Sequence, residues 1–250
     1  MAETNSEKVL AVFEAIRAQE AVRAIQYVGG NFTQHCPYIA AGAEGLVQYI
    51  KNSPPEHLKF TIVRVFQDGP YVITQVKAES SGEDMFAVHR FHDGLIAEHL
   101  AFSAPNAPPN KSGHTQLDGP TEAQHLADTE RNKVFARRYY ETFHLGKDRS
   151  RNSDFFTDDL MIRHEPGVRD GVAEFLNDVE VLMQRRTINE VKLLLGQGDF
   201  VFIAAEGTHE SDQCVYIDLY RVEGEKIVEH WGFSEKVPPQ EEWKNNNGML

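Results

Sequence analysis

Two residues in the second half of the chain have the chemistry of an acid/base pair. Asp218 and His230 lie in consecutive strand-like segments, and one hairpin separates them, so both side chains are predicted to reach the same cavity. Burial in an apolar pocket raises the pKa of a carboxyl group towards the range useful for proton transfer. The sequence therefore predicts Asp218 and His230 as catalytic residues.

Three neighbours complete this predicted site. His164 stands just before Pro166 at the exit of a short strand, and we predict it as a third catalytic residue. Tyr216 and Tyr220 alternate with Asp218 on one strand face, so they are predicted to bind ligand. The alternative is structural: Asp218 pairs with a nearby arginine or a backbone amide, and His230 is a hydrogen-bonded core histidine.

The first half offers histidines without the carboxylate. His35, His89 and His99 occupy comparable places, while Ala87 stands where the second half has Asp218. Three histidines could bind a divalent metal, but no supporting carboxylate is evident, so a pocket for an anionic or enolic ligand is favoured. We therefore predict these three as ligand-binding residues and expect no metal or other cofactor. The second half is predicted to be the more competent site.

The elements that must position these residues occur twice. His35 and His164 each precede a proline by two residues, and the Glu98-His99 pair recurs as Glu229-His230. Each repeat is large enough to be a domain. We predict a first domain at residues 1–104, a linker at 105–128 rich in proline and glycine, and a second domain at 129–250, packed as an intramolecular pseudo-dimer.

Within each repeat, segments with helical periodicity come first and strand-like runs follow. The first helix is predicted over Ser6–Val28, and its counterpart over Thr129–Leu145. Such an order indicates an α+β fold, in which helices pack on a curved antiparallel sheet. A sheet of this kind closes a cone around an apolar cavity, which suits a small molecule.

Composition limits the partners. The net charge of −13 disfavours nucleic acid, which needs clustered lysine and arginine. No run approaches the roughly 20 apolar residues of a membrane-spanning helix, and the N-terminus lacks the basic start of a signal peptide. Two isolated cysteines indicate neither a disulfide framework nor a zinc knuckle. We expect a cytoplasmic protein without nucleic-acid or membrane partners.

Several phrases resemble a known family. QHCPYIAAGAEGL, YRVEGEKIVEHWGF and EWKNNNGML are similar to the SnoaL-like branch of the NTF2-like superfamily, which includes polyketide cyclases. The resemblance implies two cone-shaped, cystatin-like domains and cofactor-independent aldol chemistry assisted by an aspartate and a histidine. Many relatives carry that aspartate directly after the His-Trp of the last strand. Here Gly232 and Ala101 stand at that position.

The predicted function is binding of a small apolar or oxygenated organic ligand. Within that class, the resemblance implies a cofactor-independent cyclase, isomerase or lyase-like enzyme that works by proton transfer. The alternative is a non-catalytic ligand-binding or assembly module with a degenerate first domain. We expect a monomeric pseudo-dimer, and further homodimerisation is left open.

Overall fold

The computed structural model describes residues 3–157 and 160–250. These residues contain two sets of five strands, each set accompanied by helices. The strands are β1 (Val28–Gln34), β2 (Phe60–Asp68), β3 (Tyr71–Ala78), β4 (Glu83–His92), β5 (Leu95–Pro105), β6 (Ile162–Arg163), β7 (Arg186–Gln197), β8 (Phe200–His209), β9 (Asp212–Glu223) and β10 (Lys226–Lys236). The α-helices are α1 (Asn5–Arg17), α2 (Ala21–Ala24), α3 (Gly42–Asn52), α4 (Thr129–Tyr139), α5 (Asn152–Phe155) and α6 (Val172–Leu182).

The two sheets have the same topology. Their strand orders are β1-β5-β4-β3-β2 and β6-β10-β9-β8-β7. In each sheet the first strand pairs in parallel with the last one, and the remaining neighbours are antiparallel. Two mixed sheets with helices confirm the predicted α+β class and the predicted duplication.

The repeated landmarks occupy the same places in the two sheets. The backbone N–H of His35 donates to the carbonyl of His99 at 2.9 Å, and that of His164 donates to the carbonyl of His230 at 2.9 Å. The match between the two halves of the sequence is therefore a match of sheet positions.

The first helix is shorter than its apolar pattern predicts. Helix α1 ends at Arg17 because Gln19 adopts a left-handed conformation with φ of 57°. The N–H of Glu20 then donates to the carbonyl of Ala15 at 2.8 Å, and the N–H of Gln19 donates to that of Ile16 at 3.0 Å. This pair of bonds is a Schellman motif, which terminates a helix whatever the following apolar residues are.

In each half, the first long helix packs on the sheet. Val9, Val12 and Phe13 of α1 form one core with strand residues such as Val72 and Ile96. The core around α4 is far more aromatic, and its aromatic members are Phe135, Tyr139, Tyr140, Phe143, Phe155, Phe156, Phe175, Tyr216 and Tyr220. The two halves thus share a backbone plan and differ in how their interiors are filled.

The chain forms two compact units that divide it differently from the predicted boundaries. Unit 1 contains the residues up to Pro105 together with Pro238–Leu250, and unit 2 is Asn106–Val237. The segment predicted as a linker, 105–128, therefore lies almost entirely in unit 2, and the end of the predicted second domain lies in unit 1. Each segment is held to its unit by specific hydrogen bonds. Among the described residues, no helix has the length and apolarity needed to cross a bilayer.

Candidate functional site

The structure brings Asp218 and His230 together in unit 2. Nε2 of His230 lies 2.8 Å from Oδ1 of Asp218, because β9 and β10 are neighbours in the sheet. The other carboxylate oxygen accepts a hydrogen bond from the Tyr140 hydroxyl at 2.9 Å. Nδ1 of His230 lies 2.9 Å from Oε1 of Glu165, within ion-pair distance. His230 is thus placed between two carboxylates.

Electrostatics hold this group in its charged form. Burial alone would lower the pKa of His230, but Glu165 and Asp218 outweigh it and raise the pKa to about 9. Burial likewise opposes ionisation of Asp218, yet the His230 hydrogen bond and charge hold the pKa of Asp218 below its ordinary value. The pKa of Glu165 is lowered for the same reason. The partly buried Arg186 supplies a second positive charge near Asp218.

Gly232 explains how this pair fits into the sheet. Gly232 is the direct partner of Asp218 in the register of β9 and β10. A Cβ atom at Gly232 would lie 2.8 Å from Nε2 of His230 and 3.0 Å from Oδ1 of Asp218. The Asp218 carboxylate therefore occupies the space that a side chain at position 232 would need. It reaches that space from the neighbouring strand.

Aromatic rings cover the pair. The ring of Tyr220 stacks on that of His230 with centroids 4.6 Å apart and an angle of 11°. Asp218 and His230 are each only 6% exposed. The Tyr216 hydroxyl donates to the carbonyl of Thr208 at 2.7 Å, so it is already bonded within the protein. The predicted catalytic role of Asp218 and His230 stays a prediction, and their surroundings resemble a filled core.

This charged group predicts a pH dependence of stability. A histidine whose pKa is raised on folding stabilises the fold below its ordinary pKa of 6.5 and loses that contribution as the pH rises through its folded value of about 9. At about 1.4 kcal/mol per pKa unit, we expect the free energy of unfolding to fall by about 3 kcal/mol between pH 6.5 and 9. Urea unfolding across this range measures it. His230→Gln should flatten the curve, and an equal slope in parent and variant would contradict the assignment.

His164 does not join Asp218 and His230, contrary to the prediction. Its Nε2 lies 2.8 Å from Oε1 of Glu229, whose other oxygen accepts from Nε of Arg221 at 2.6 Å. Glu229 precedes His230 in β10, and alternate residues of a strand point to opposite faces. His164 is therefore on the other face of the sheet.

The same His–Glu–Arg arrangement recurs in unit 1. Nε2 of His35 lies 3.0 Å from Oε1 of Glu98, and Nε of Arg90 donates to Oε2 of Glu98 at 2.6 Å. Nδ1 of His35 bonds the carbonyl of Gly248 at 3.0 Å. His35 thus fastens the segment 238–250 to unit 1, and it is not part of the pocket predicted for it. We call the His–Glu–Arg trio of each unit its histidine clamp.

Beside each clamp, an asparagine bonds the unit from a segment that we call its docked segment. The docked segment of unit 1 is 238–250, and that of unit 2 is the former linker, 106–128. Asn245 donates to the carbonyls of Cys36 and Ile39, both at 2.8 Å. In unit 2, Asn110 donates to the carbonyl of Arg163 at 2.6 Å and, at 3.4 Å, to that of Glu165. Each segment is therefore bonded to the chain around a His-X-Pro sequence.

A cavity of about 340 Å³ lies in unit 1, between the helices and the sheet. Its walls are mainly apolar, and among its polar lining residues Gln34, His89 and His99 lie next to one another. They lie side by side because β1, β5 and β4 are consecutive in the sheet, with Gln34 opposite His99 and His99 opposite His89. Of the predicted ligand-binding histidines, the structure thus brings His89 and His99 to a cavity.

The protonation of the His99 ring follows from its partners. Oε1 of Gln34 accepts from the backbone N–H of Cys36 at 2.9 Å, which fixes the orientation of the Gln34 amide. Nδ1 of His99 lies 2.9 Å from the same oxygen and must therefore carry the proton. Burial and His35 lower the pKa of His99 to about 4, so its ring is neutral and Nε2 keeps a lone pair.

Two buried polar atoms beside His99 have no partner. They are Nε2 of Gln34 and Nδ1 of His89, and both side chains line the cavity. The rings of His89 and His99 are 4.7 Å apart, and burial followed by the proximity of His99 lowers the pKa of His89 well below its ordinary value. An unpartnered buried polar atom costs about 1–3 kcal/mol, so this end of the cavity favours a polar ligand atom.

Sequence reasoning missed Gln34, Tyr140 and Glu165 as members of these groups. Glu165 is adjacent to His164, and Gln34 is adjacent to His35, so both were within the repeated phrase. Comparing the two repeats position by position points to Glu165, which stands where the first repeat has Cys36. No sequence signal identifies Tyr140, which reaches Asp218 from the helical segment Tyr140–Leu145 that follows α4.

Comparisons with known proteins concern the fold. No protein-family model and no curated protein matches the chain. A Kribbella flavida protein, provisionally described as a ketosteroid isomerase, is 19% identical, with 45% of this chain and 84% of that one covered and a TM-score of 0.40. An NTF2-like protein of unknown function from Cytophaga hutchinsonii is 17% identical over 42% of this chain and 94% of its own, with a TM-score of 0.36. A protein with a cystatin-like fold from Xanthomonas campestris is 22% identical over 41% and 89%, with a TM-score of 0.37.

Proposed function

We propose that unit 1 binds a small, mostly apolar organic molecule that carries a hydroxyl or enol group. The observation that carries this proposal is the cavity of about 340 Å³ with Gln34, His89 and His99 on its wall. Ligand pockets of about 300–1,000 Å³, apolar with a few convergent polar groups, are typical of small-molecule sites. The cavity is at the small end of that range, so the ligand is a compact one.

The polar groups specify the ligand's hydrogen bonds. Nε2 of His99 is an acceptor, which suits a hydroxyl or enol donor. The unpartnered Gln34 amide is a donor, which suits the oxygen of the same or a neighbouring group. A charged ligand is disfavoured because neither histidine carries a compensating charge: the pKa of His99 is lowered to about 4, and burial holds that of His89 well below its ordinary value. The proposed ligand is therefore neutral.

The same pKa values favour binding over catalysis. A general base works best when its pKa is near the operating pH, and a histidine with a pKa of about 4 is a weak base. Cyclase or isomerase chemistry in this cavity would need a stronger base than His99. We therefore place the non-catalytic ligand-binding function ahead of the cofactor-independent enzyme. We also place the working site in unit 1, whereas the sequence favoured the second half.

Naphthol and naphthalene form a matched pair of fluorescent probes for this cavity, since they differ by one hydroxyl group. We expect the parent to bind naphthol about tenfold more tightly than naphthalene, the value of one net hydrogen bond. His99→Phe keeps an aromatic ring and removes the acceptor, so this preference should disappear while naphthalene binding remains. Fluorescence titration gives both dissociation constants.

A matched control is His144→Phe, which replaces a buried histidine of unit 2 whose pKa is lowered to about 3 by burial and then by Arg186. The control should retain the parent's preference for naphthol. If neither probe binds the parent, or if His144→Phe and His99→Phe change the preference equally, the cavity of unit 1 is not the binding site.

A further inference from the structure

The clamp histidine of unit 2, His164, also belongs to a cluster of metal-ligating side chains. His114, Asp118 and His164 each offer one ligand atom, and these atoms lie within 4.8 Å of one another. Nδ1 of His164 is 2.6 Å from Oδ1 of Asp118, and Nδ1 of His114 is 3.4 Å from Oδ2 of the same residue. Two imidazole nitrogens thus approach one carboxylate.

The other ring nitrogen of each histidine, Nε2, faces a second carboxylate. Nε2 of His114 lies 3.0 Å from Oδ2 of Asp170, and Nε2 of His164 lies 2.8 Å from Oε1 of Glu229. Metal-bound histidines commonly donate their other ring N–H to a carboxylate, which fixes the tautomer and leaves the facing nitrogen free to coordinate. Both histidines of the cluster have this arrangement. In both, the nitrogen facing Asp118 is Nδ1.

Unit 1 shows that these added groups are not needed for the clamp. Its clamp holds the segment 238–250 in the same way, but Ala41 stands where unit 2 has Asp170, and Met249 follows the glycine where unit 2 has His114. His114 and Asp170 are therefore additions of unit 2. Asp118, Asp170 and Glu229 place three carboxylates around the two imidazoles; Arg221 is bonded to Glu229, and a metal ion would offset the negative charge of the other two.

We propose that His114, Asp118 and His164 form a binding site for a divalent transition-metal ion of the zinc class. Two imidazole nitrogens and one carboxylate are a ligand set that zinc accepts. Asp170 and Glu229 orient the two rings. When no metal is bound, a proton on Nδ1 of His164, shared between Asp118 and the carbonyl of Thr115 at 2.9 Å, takes its place. This proposal departs from the expectation of a metal-free protein, because the sequence contains no metal-ligand motif that would have predicted the site.

The test uses the full chain, purified without a histidine tag and dialysed against a chelator. Calorimetric titration with zinc should show one tight site per chain, and cobalt should produce visible absorption bands of a protein-bound ion. His114→Ala should weaken zinc binding at least tenfold. His114 is partly exposed, so this variant should fold, and circular dichroism checks that it does. His92→Ala is the matched control, because His92 is also paired with an aspartate, Asp93, but is exposed and belongs to unit 1.

Asp118→Asn supplies an independent readout. It should weaken zinc binding as His114→Ala does, because it removes the carboxylate shared by both rings. Absence of a one-to-one zinc isotherm in the parent overturns the proposal. Zinc binding that His114→Ala and Asp118→Asn leave unchanged overturns it too, because the ion would then be bound elsewhere.

Discussion

Asp218→Asn is expected to destabilise the protein by about 3–5 kcal/mol. The substitution keeps the size of the side chain and removes the charge that faces His230. Asp218 is buried, its two oxygens are bonded to His230 and Tyr140, and His230 is charged with a pKa of about 9. Glu165 still faces His230 in this variant, but the carboxylate that balances both His230 and Arg186 is lost, and breaking a buried ion pair accounts for the magnitude. Urea unfolding followed by circular dichroism measures the loss.

The matched control is Asp212→Asn, the same change at the start of the same strand. Asp212 pairs with Lys236 at 2.9 Å, but both side chains are exposed. Surface pairs contribute about 0–1 kcal/mol, so this variant should unfold near the parent. Equal losses in the two variants would contradict the description of Asp218 and His230 as a buried structural pair. That outcome would restore the sequence-based interpretation, in which Asp218→Asn changes function and leaves the fold intact.

Asn245→Ala is expected to loosen the cavity wall of unit 1 and cost about 2–3 kcal/mol. Asn245 donates to the carbonyls of Cys36 and Ile39, and both of these residues line the cavity. Alanine would leave two carbonyls without this donor, at about 1–1.5 kcal/mol for each net hydrogen bond. We expect weaker naphthol binding together with earlier unfolding. Fluorescence titration and urea unfolding give the two values.

Asn110→Ala tests whether the effect is local. Asn110 holds the corresponding place in unit 2, where it donates to the carbonyls of Arg163 at 2.6 Å and Glu165 at 3.4 Å. Its replacement should also lower stability, yet naphthol binding should stay unchanged. Weakened binding in both variants would mean that loss of stability alone reduces affinity, and the docked segment would have no specific part in shaping the cavity.

Much of the fold was predictable because the sequence states it twice. The repeated His-X-Pro and Glu-His landmarks correspond to equal sheet positions, and the proximity of Asp218 and His230 follows from strand alternation across one hairpin. The SnoaL-like resemblance implied an α+β fold, and the two sheets have it. The pseudo-dimer packing of the two units and the cytoplasmic location stay predictions.

The location of the cavity was not predictable, because it depends on which side chains fill each interior. Where unit 2 places Tyr220 and Asp218, unit 1 has His89 and Ala87. In addition, Tyr140 enters the interior of unit 2 from a different element and bonds Asp218. Alanine at position 87 leaves space in unit 1. The sequence pattern of one strand does not show whether a side chain from another part of the chain fills such a space.

The docked segments were missed for a different reason, since they have no helical or strand periodicity. A short repeat does mark them: Asn110 precedes Gly113 by three residues, and Asn245 precedes Gly248 by three. Both glycines have positive φ values, 91° and 78°, which favour glycine over other residues. The repeat is two residues of shared identity, too little to stand out without knowing that each segment docks beside a histidine clamp.

The assignment of Pro238–Leu250 to unit 1 has a consequence for biosynthesis. A ribosome makes the sheet of unit 1 first, then all of unit 2, and only afterwards the residues that bond His35, Cys36 and Ile39. The nascent first unit therefore waits for its closing segment while its neighbour is translated. During that interval the clamp histidine and the carbonyls of Cys36 and Ile39 lack the hydrogen bonds that this segment supplies, so unit 1 is completed only after unit 2 has been translated.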